Sequence, residues 1–306
     1  MKILLLYFSG TGNTTLCARF LADSFKSHGH EVSEFNYRKD EEFPLDFSSY
    51  DMIGIGYPIH AFNIPKTFFR FLKKLPKVEK MPLFIFKVSG EPFALNNASS
   101  AKIVHVLQKK GYFLAGEKHF LMPYNIMFRY RDSIAKQMRI YLPLLCDVFV
   151  QDLLDEKAEK IKYRVWQRIV SFLLRIEYIA PNINGPFCHS KKNCTHCMKC
   201  LKACPMGAIY QNKKGKMKVH GSKCVLCMRC VYHCPENAWA FGMFIPWQVN
   251  GAYPYEKMLE DRDIAPEYIN HQTKGYFKLF NKYFDKQKAL LKEHGIENPI
   301  ESYLDK

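Results

Sequence analysis

Acidic residues are scarce in this chain: 29 Asp and Glu stand against 45 Lys and Arg, a formal charge of +16 over 306 residues. That balance suits an acidic partner, with nucleic acid as the weaker contender. No nucleic-acid recognition motif accompanies the charge, so no nucleic acid is expected. Long hydrophobic runs are missing too. The longest stretch free of Asp, Glu, Lys and Arg, residues 237–255, is interrupted by Pro246, Gln248, Asn250, Gly251 and Pro254, so no integral membrane span is expected. No small-residue cleavage site follows Lys2, so no secretory leader is expected. Nor is there a Walker loop, since no lysine follows the glycines of the first loop. Gly10-Thr11-Gly12 also lacks the third glycine of G-x-G-x-x-G. With 48% apolar and 15% aromatic residues, the chain can still bury enough core for two domains.

Cysteine is what the chain has in a pattern. CTHCMKCLKACP runs from Cys194 to Pro205, and CVLCMRCVYHCP repeats it from Cys224 to Pro235. Both read C-x2-C-x2-C-x3-C-P. Three cysteines two residues apart let one tight loop present three thiolates to one corner of a cubane, and the proline then turns the chain away. Paired C-x-x-C also binds structural zinc, but two complete blocks with the trailing proline favour iron and sulfur. Cys17 and Cys146 read as buried thiols and Cys188 as a bystander.

These blocks, with Met206-Gly207-Ala208-Ile209 and Glu236-Asn237-Ala238-Trp239 after them, resemble bacterial two-cluster ferredoxins over residues 186–245. The resemblance implies a duplicated domain with two [4Fe–4S] clusters, in which each fourth cysteine serves the other block's triplet. Cys194, Cys197, Cys200 and Cys234 would hold one cluster, and Cys224, Cys227, Cys230 and Cys204 the second. Such clusters beside unpaired cysteines fit an anaerobic, reducing cytoplasm. Residues 186–245 carry ten Lys and Arg against one Glu. Lys191, Lys192, Lys199, Lys202, Lys213, Lys214, Lys216 and Lys218 therefore offer a docking face for an acidic redox partner, beyond offsetting cluster charge.

The N-terminus carries a second signature. Lys2 to Phe8 reads as a buried strand, Ser9-Gly10-Thr11-Gly12-Asn13-Thr14 as a loop, and the periodic Leu16, Phe20, Leu21 and Phe25 as a helix. Strand, Gly/Ser/Thr loop and helix make an anion site, because glycines let the backbone close and the helix start supplies free N–H groups. Apolar runs at residues 51–56, 81–88 and 112–122 alternate with amphipathic stretches at residues 64–75 and 96–111, and a weaker strand fits residues 31–37. This predicts a parallel doubly wound α/β sheet. Ser9, Thr11, Gly12 and Thr14 match the (S/T)-x-T-G-x-T loop of flavodoxins, which this segment resembles. The resemblance implies strand order 2-1-3-4-5 and FMN at the carboxyl ends of the strands, phosphate on Ser9–Thr14. Ring contacts are expected from Tyr57, Pro58, Ile59, His60, Ala61, Phe62 and Asn63 and from Ser89, Gly90 and Glu91, with Tyr57 or Phe62 stacking. Met122–Asn125 could also reach the crevice.

Asp155–Tyr178 predicts one long helix, with Ile161, Val165, Ile169 and Leu173 packed on the core and a basic side in solvent; a membrane-surface helix is the alternative. The expected organisation is a flavodoxin-like domain at 1–180, a linker at 181–186, a two-cluster ferredoxin domain at 187–245 and a helical extension at 246–306. The function implied is electron transfer between FMN, the two low-potential clusters and a redox partner. The rival is an FMN-dependent reductase of a small acceptor, such as a quinone or nitro compound, fed by the clusters. No catalytic side chain is singled out.

Overall fold

A computed structural model describes residues 1–39 and 46–304. Five parallel strands form the first sheet: β1 (Lys2–Tyr7), β2 (Glu31–Asn36), β3 (Met52–Pro58), β4 (Met81–Ser89) and β5 (Tyr112–Leu121), in the order β2-β1-β3-β4-β5. Helices α1 (Asn13–Ser27), α2 (Lys66–Leu72) and α3 (Ala101–Gln108) connect them, and α4 (Asp132–Leu154) follows β5. The three central strands are near-continuous apolar runs because helices cover both faces. Ile3, Leu5 and Tyr7 face a core shared with α1 and α4, whereas Leu4, Leu6 and Phe8 face one shared with α2 and α3. In β3, a Cβ at Gly54 would strike the Phe84 ring and one at Gly56 the Phe86 ring. Those glycines make room for the large rings of β4.

The long helix expected over 155–178 is absent. After α4 the chain leaves helical geometry at Glu156, with φ 59°, and returns at α5 (Val165–Leu173), which a 3-10 turn at Leu174–Ile179 extends. The break lets the chain run beside β5, where the Glu117 amide donates to the Glu159 carbonyl at 2.8 Å. An edge-strand amide thus takes the hydrogen bond that a continuous helix would have denied it. Residues 181–186, expected as a linker, are structured as well. They form α6 (Ala180–Asn184) and the start of a 3-10 turn at Gly185–Phe187. The buried Asn184 amide donates to the Phe241 carbonyl at 3.2 Å, and its oxygen accepts from the Met243 amide at 2.7 Å.

The cysteine-rich segment folds around a small antiparallel sheet of β6 (Cys188–Ser190), β7 (Ile209–Gln211), β8 (Met217–Val219) and β9 (Trp239–Phe241), ordered β7-β8-β6-β9. Short helices α7 (Lys199–Ala203) and α8 (Arg229–Tyr232) each carry the third cysteine of a triplet, Cys200 and Cys230. The tail adds α9 (Tyr255–Glu260) and α10 (Asn281–Glu293), whose Phe284 meets Tyr141 of α4 edge-on at 5.1 Å. Gln137 of α4 fixes the tail by donating to the Ile269 carbonyl and accepting from the Tyr268 and Ile269 amides.

Candidate functional site

The two triplets adopt the same strained backbone. His196 and Met198 in the first, and Leu226 and Met228 in the second, all have φ between 52° and 59°. Non-glycine residues there cost about 1 kcal/mol each, strain that concentrates at functional loops. Its effect is to curl each triplet so that three thiols face one volume. Cys194, Cys197, Cys200 and Cys234 line one cavity, backed by Trp239 and Met217. Cys224, Cys227, Cys230 and Cys204 line the other, backed by Phe241 and Val219. Each set draws its fourth thiol from the other block. Among the described residues, no three Cys, His, Asp or Glu side chains converge on a single-ion position. The thiols surround a volume, which a cubane requires and tetrahedral zinc does not. The Ala208 and Ala238 amides donate to Cys204 and Cys234 Sγ at 3.3 and 3.2 Å. That pairing gives the C-P-x-x-A repeat a physical reason, because N–H donors favour the thiolate charge.

The remaining cysteines are buried. Cys17 and Cys146 face each other at 3.9 Å between α1 and α4, and burial pushes the Cys188 thiol up to about 12. The basic residues expected to form a docking face are exposed except Lys218, which is half-buried and donates to the Pro186 carbonyl. Cys197 is the exposed cysteine of the first set, whereas Cys227 of the second is buried.

Cys227 is buried because its loop rests on Ser9–Thr14. A Cβ at Gly10 would lie 2.8 Å from both the Cβ and the carbonyl oxygen of Cys227. Arg229 Nη1 donates to the Gly10 carbonyl at 2.7 Å, and His233 Nε2 pairs with the Thr11 carbonyl at 3.0 Å. Asn125 bridges the two units, donating to Thr11 Oγ1 at 3.1 Å and to the Cys227 carbonyl at 3.4 Å. Tyr255 and Pro123 fix the Asn13 side chain. Gly10, Thr11, Asn13, Pro123 and Asn125 are all expected at the crevice from the sequence, whereas Cys227, Arg229, His233 and Tyr255 are not. Arg229 and His233 were hidden inside the second cysteine block.

The loop itself suits an anion. Gly12 caps α1 at φ 115°, with open space where a Cβ would point. The first-turn N–H groups of α1 have no intrahelical acceptor. Ser9 Oγ accepts from the Thr15 amide and Thr11 Oγ1 from Asn125, so each hydroxyl keeps its proton for a ligand oxygen. At Ser89–Asn97, Glu91 Oε2 and Asn96 Oδ1 are buried acceptors without a geometric hydrogen-bond partner. A flavin mononucleotide therefore fits the donor and acceptor set.

Tyr57 does not stack on that crevice. It is fully buried in the α2/α3 core, and its hydroxyl pairs with Ser99 Oγ at 3.1 Å. Ile59 is held by a backbone bond to Val88, and Pro58 ends β3. His60 bonds Asn63 backbone to backbone, forcing Ala61 and Phe62 to φ 36° and 62°. Burial lowers the His60 ring to about 4, opposed by a bond to the Val225 backbone, so this loop too meets the second triplet. The Ser89–Asn97 loop is held by other contacts: Tyr124 packs on Gly90, and α5 closes over the 3-10 turn at Ala94–Ser100, with Gln167 Nε2 donating to the Ala94 carbonyl at 2.9 Å. Beneath it, Lys87 Nζ donates to Glu117 at 2.7 Å and to the Asn96 and Asn97 carbonyls at 3.0 and 3.1 Å, with the Lys87 and Glu117 side chains out of solvent. His119 pairs with Ser89 Oγ at 2.8 Å.

Comparison with known proteins gives two family matches, a flavodoxin domain over residues 4–111 and a 4Fe-4S dicluster domain over residues 193–238. An uncharacterised protein of Methanocaldococcus jannaschii is 34% identical over 118 residues, which span 38% of this chain and 73% of that protein. Among solved structures, a short-chain flavodoxin associated with a PDU bacterial microcompartment matches 52% of this chain and 99% of its own at 16% identity, TM-score 0.38. Oxidised flavodoxin 2 from Bacillus cereus matches 51% and 99% at 17% identity, TM-score 0.39.

Proposed function

We propose, for a chain that belongs to the fusions of a flavodoxin domain with a 4Fe-4S dicluster domain, that it is an electron-transfer protein using FMN and two [4Fe–4S] clusters. When bound, FMN supplies one- or two-electron exchange and each cubane one-electron exchange. Ser9, Thr11 and Thr14 hydroxyls and the first-turn amides of α1 would hold the phosphate. Cys194, Cys197, Cys200 and Cys234 would hold one cluster, and Cys224, Cys227, Cys230 and Cys204 the other. The observation that carries the reading is the contact of Cys227 with Gly10, which sets the second cysteine cavity against the phosphate loop. Arg229 and His233 lock that contact through the Gly10 and Thr11 carbonyls, and Asn125 ties both sides together. The first cavity, with Cys197 exposed among lysines, faces outward and suits exchange with an acidic partner.

The test is anaerobic reconstitution of Thr11→Val/Thr14→Val beside the native chain. Hydrogen bonds to a charged group are worth about 1.5–3 kcal/mol each, so losing two should release most FMN with iron content unchanged. Native FMN affinity in the double variant would remove the phosphate assignment.

A further inference from the structure

Helix α5 is packed inside out. Its polar residues face the protein: Gln167 and Ser171 are buried, Ser171 Oγ donates to the Phe62 carbonyl at 2.9 Å, and the Ser171 carbonyl accepts from Asn63 at 2.8 Å. One turn on, Arg175 Nε donates to Asn63 Oδ1 at 3.0 Å. The apolar residues face out. Trp166, Ile169, Phe172, Leu173, Ile176 and Ile183 are each more than half exposed, along a ridge that continues through the 3-10 turn into α6. Slack docking does not explain this ridge, because Gln167 and Ser171 on the opposite face of the helix are buried and hydrogen-bonded. Contiguous apolar exposure of this extent marks an interaction surface.

The charge around the ridge indicates what covers it. Residues 160–177 hold five cations (Lys160, Lys162, Arg164, Arg168 and Arg175) and one carboxylate, Glu177. A second copy placed by twofold symmetry would set this net-cationic surface against itself, which opposes self-association. A protein partner would need a groove complementary to a convex ridge. A bilayer needs only depth for the side chains and anionic headgroups for the cations, and Trp with Phe and Leu beside Lys and Arg is the composition of interfacial helices. Among the described residues no helix is long and apolar enough to cross a membrane, so the contact would lie along the surface. We propose that the ridge from α5 through α6 docks the protein on an anionic lipid bilayer. Because Gln167 and Ser171 on the inner side of α5 hold the Ala94 and Phe62 carbonyls, docking would set both ring-binding loops about one helix diameter, ~10 Å, from the headgroups.

The test is flotation of the full-length holoprotein with two vesicle types, phosphatidylcholine alone and phosphatidylcholine with one-third phosphatidylglycerol. Binding is expected to the anionic vesicles, to weaken with added salt, and to shift Trp166 emission to the blue; Trp166→Phe should remove the shift and keep the binding. Trp166→Ser/Leu173→Ser/Ile176→Ser alters only exposed side chains and should lower partitioning at least about tenfold. Lys162→Gln/Arg168→Gln should weaken binding to anionic vesicles alone. Three results would overturn the proposal: equal binding to neutral and anionic vesicles, native partitioning of the triple serine variant, or a discrete dimer in sedimentation that the serine variant dissolves and vesicles do not.

Discussion

Adding one methyl group at Gly10 tests whether the second cluster is wired to the flavin site through direct contact. Gly10 does not take a left-handed φ, so alanine is conformationally acceptable there and the perturbation is steric alone. The new Cβ would lie 2.8 Å from the Cβ and carbonyl oxygen of Cys227, well inside contact distance. Neither neighbour can swing away. One is backbone, and the other belongs to a residue in the cavity lining whose carbonyl is already bonded to Asn125. Overpacking of this kind costs about 1–3 kcal/mol, which weakens docking of the two units by about 5- to 150-fold.

Gly12→Ala is the control. It stands two residues away at φ 115° with nothing within 4 Å of its Cβ, so it strains the same loop by about 1–2 kcal/mol without touching Cys227. The assay is flavin–cluster equilibration after rapid reduction of the reconstituted chain, with FMN and iron contents measured on each sample. Gly10→Ala should keep its iron and equilibrate slowly. Gly12→Ala should lose FMN affinity, while whatever FMN it retains equilibrates at the native rate. Native equilibration in Gly10→Ala would falsify the contact as the electron route.

Three further outcomes follow from the same geometry. Cys234→Ala should disturb the cluster of Cys194, Cys197 and Cys200, and Cys204→Ala the other, as read by EPR of each variant; disturbance of each residue's own block would refute crossed ligation. Lys87→Met strands the Glu117 carboxylate out of solvent and should destabilise the protein by about 3–5 kcal/mol in urea melts, with Lys87→Met/Glu117→Leu recovering most of the loss. Burial, helped by the Lys87 charge, holds His119 at about 3, below its ordinary 6.5, so the unfolded chain binds the extra proton between those values. Stability should therefore be full above about pH 6.5 and fall on acidification by up to about 1.4 kcal/mol per unit, a slope that His119→Gln should reduce.

What was legible in the sequence was local. Cysteine spacing and the apolar strand runs each depend on a few neighbouring residues and agree with the fold found, and Ser9–Gly12 does join β1 to α1. Tyr57 was misjudged because an aromatic at a strand end reads alike whether its ring faces ligand or core; the Ser99 hydroxyl, forty-two residues away, decides it. The contact between units was out of reach for the same reason. Gly10 looks like a variable place in a phosphate loop, and only the approach of Cys227 from 217 positions along the chain gives it a role.

Helix α5 shows the deeper limit. Periodicity reports which residues share a face, and by default the apolar face is assigned to the core. Here Asn63, Ala94 and Phe62 offer an inward surface of carbonyls and an amide. Buried polar groups must be paired, and Gln167, Ser171 and Arg175 supply the partners. Turning the apolar face inward would leave those groups unsatisfied at about 1–3 kcal/mol each, so the strained loop at Ala61–Phe62 selects the polar face of the helix. The outward apolar ridge is then a consequence of holding the loops at Phe62 and Ala94, and replacing Ser171 should disturb the Ala61–Asn63 loop and the ridge together.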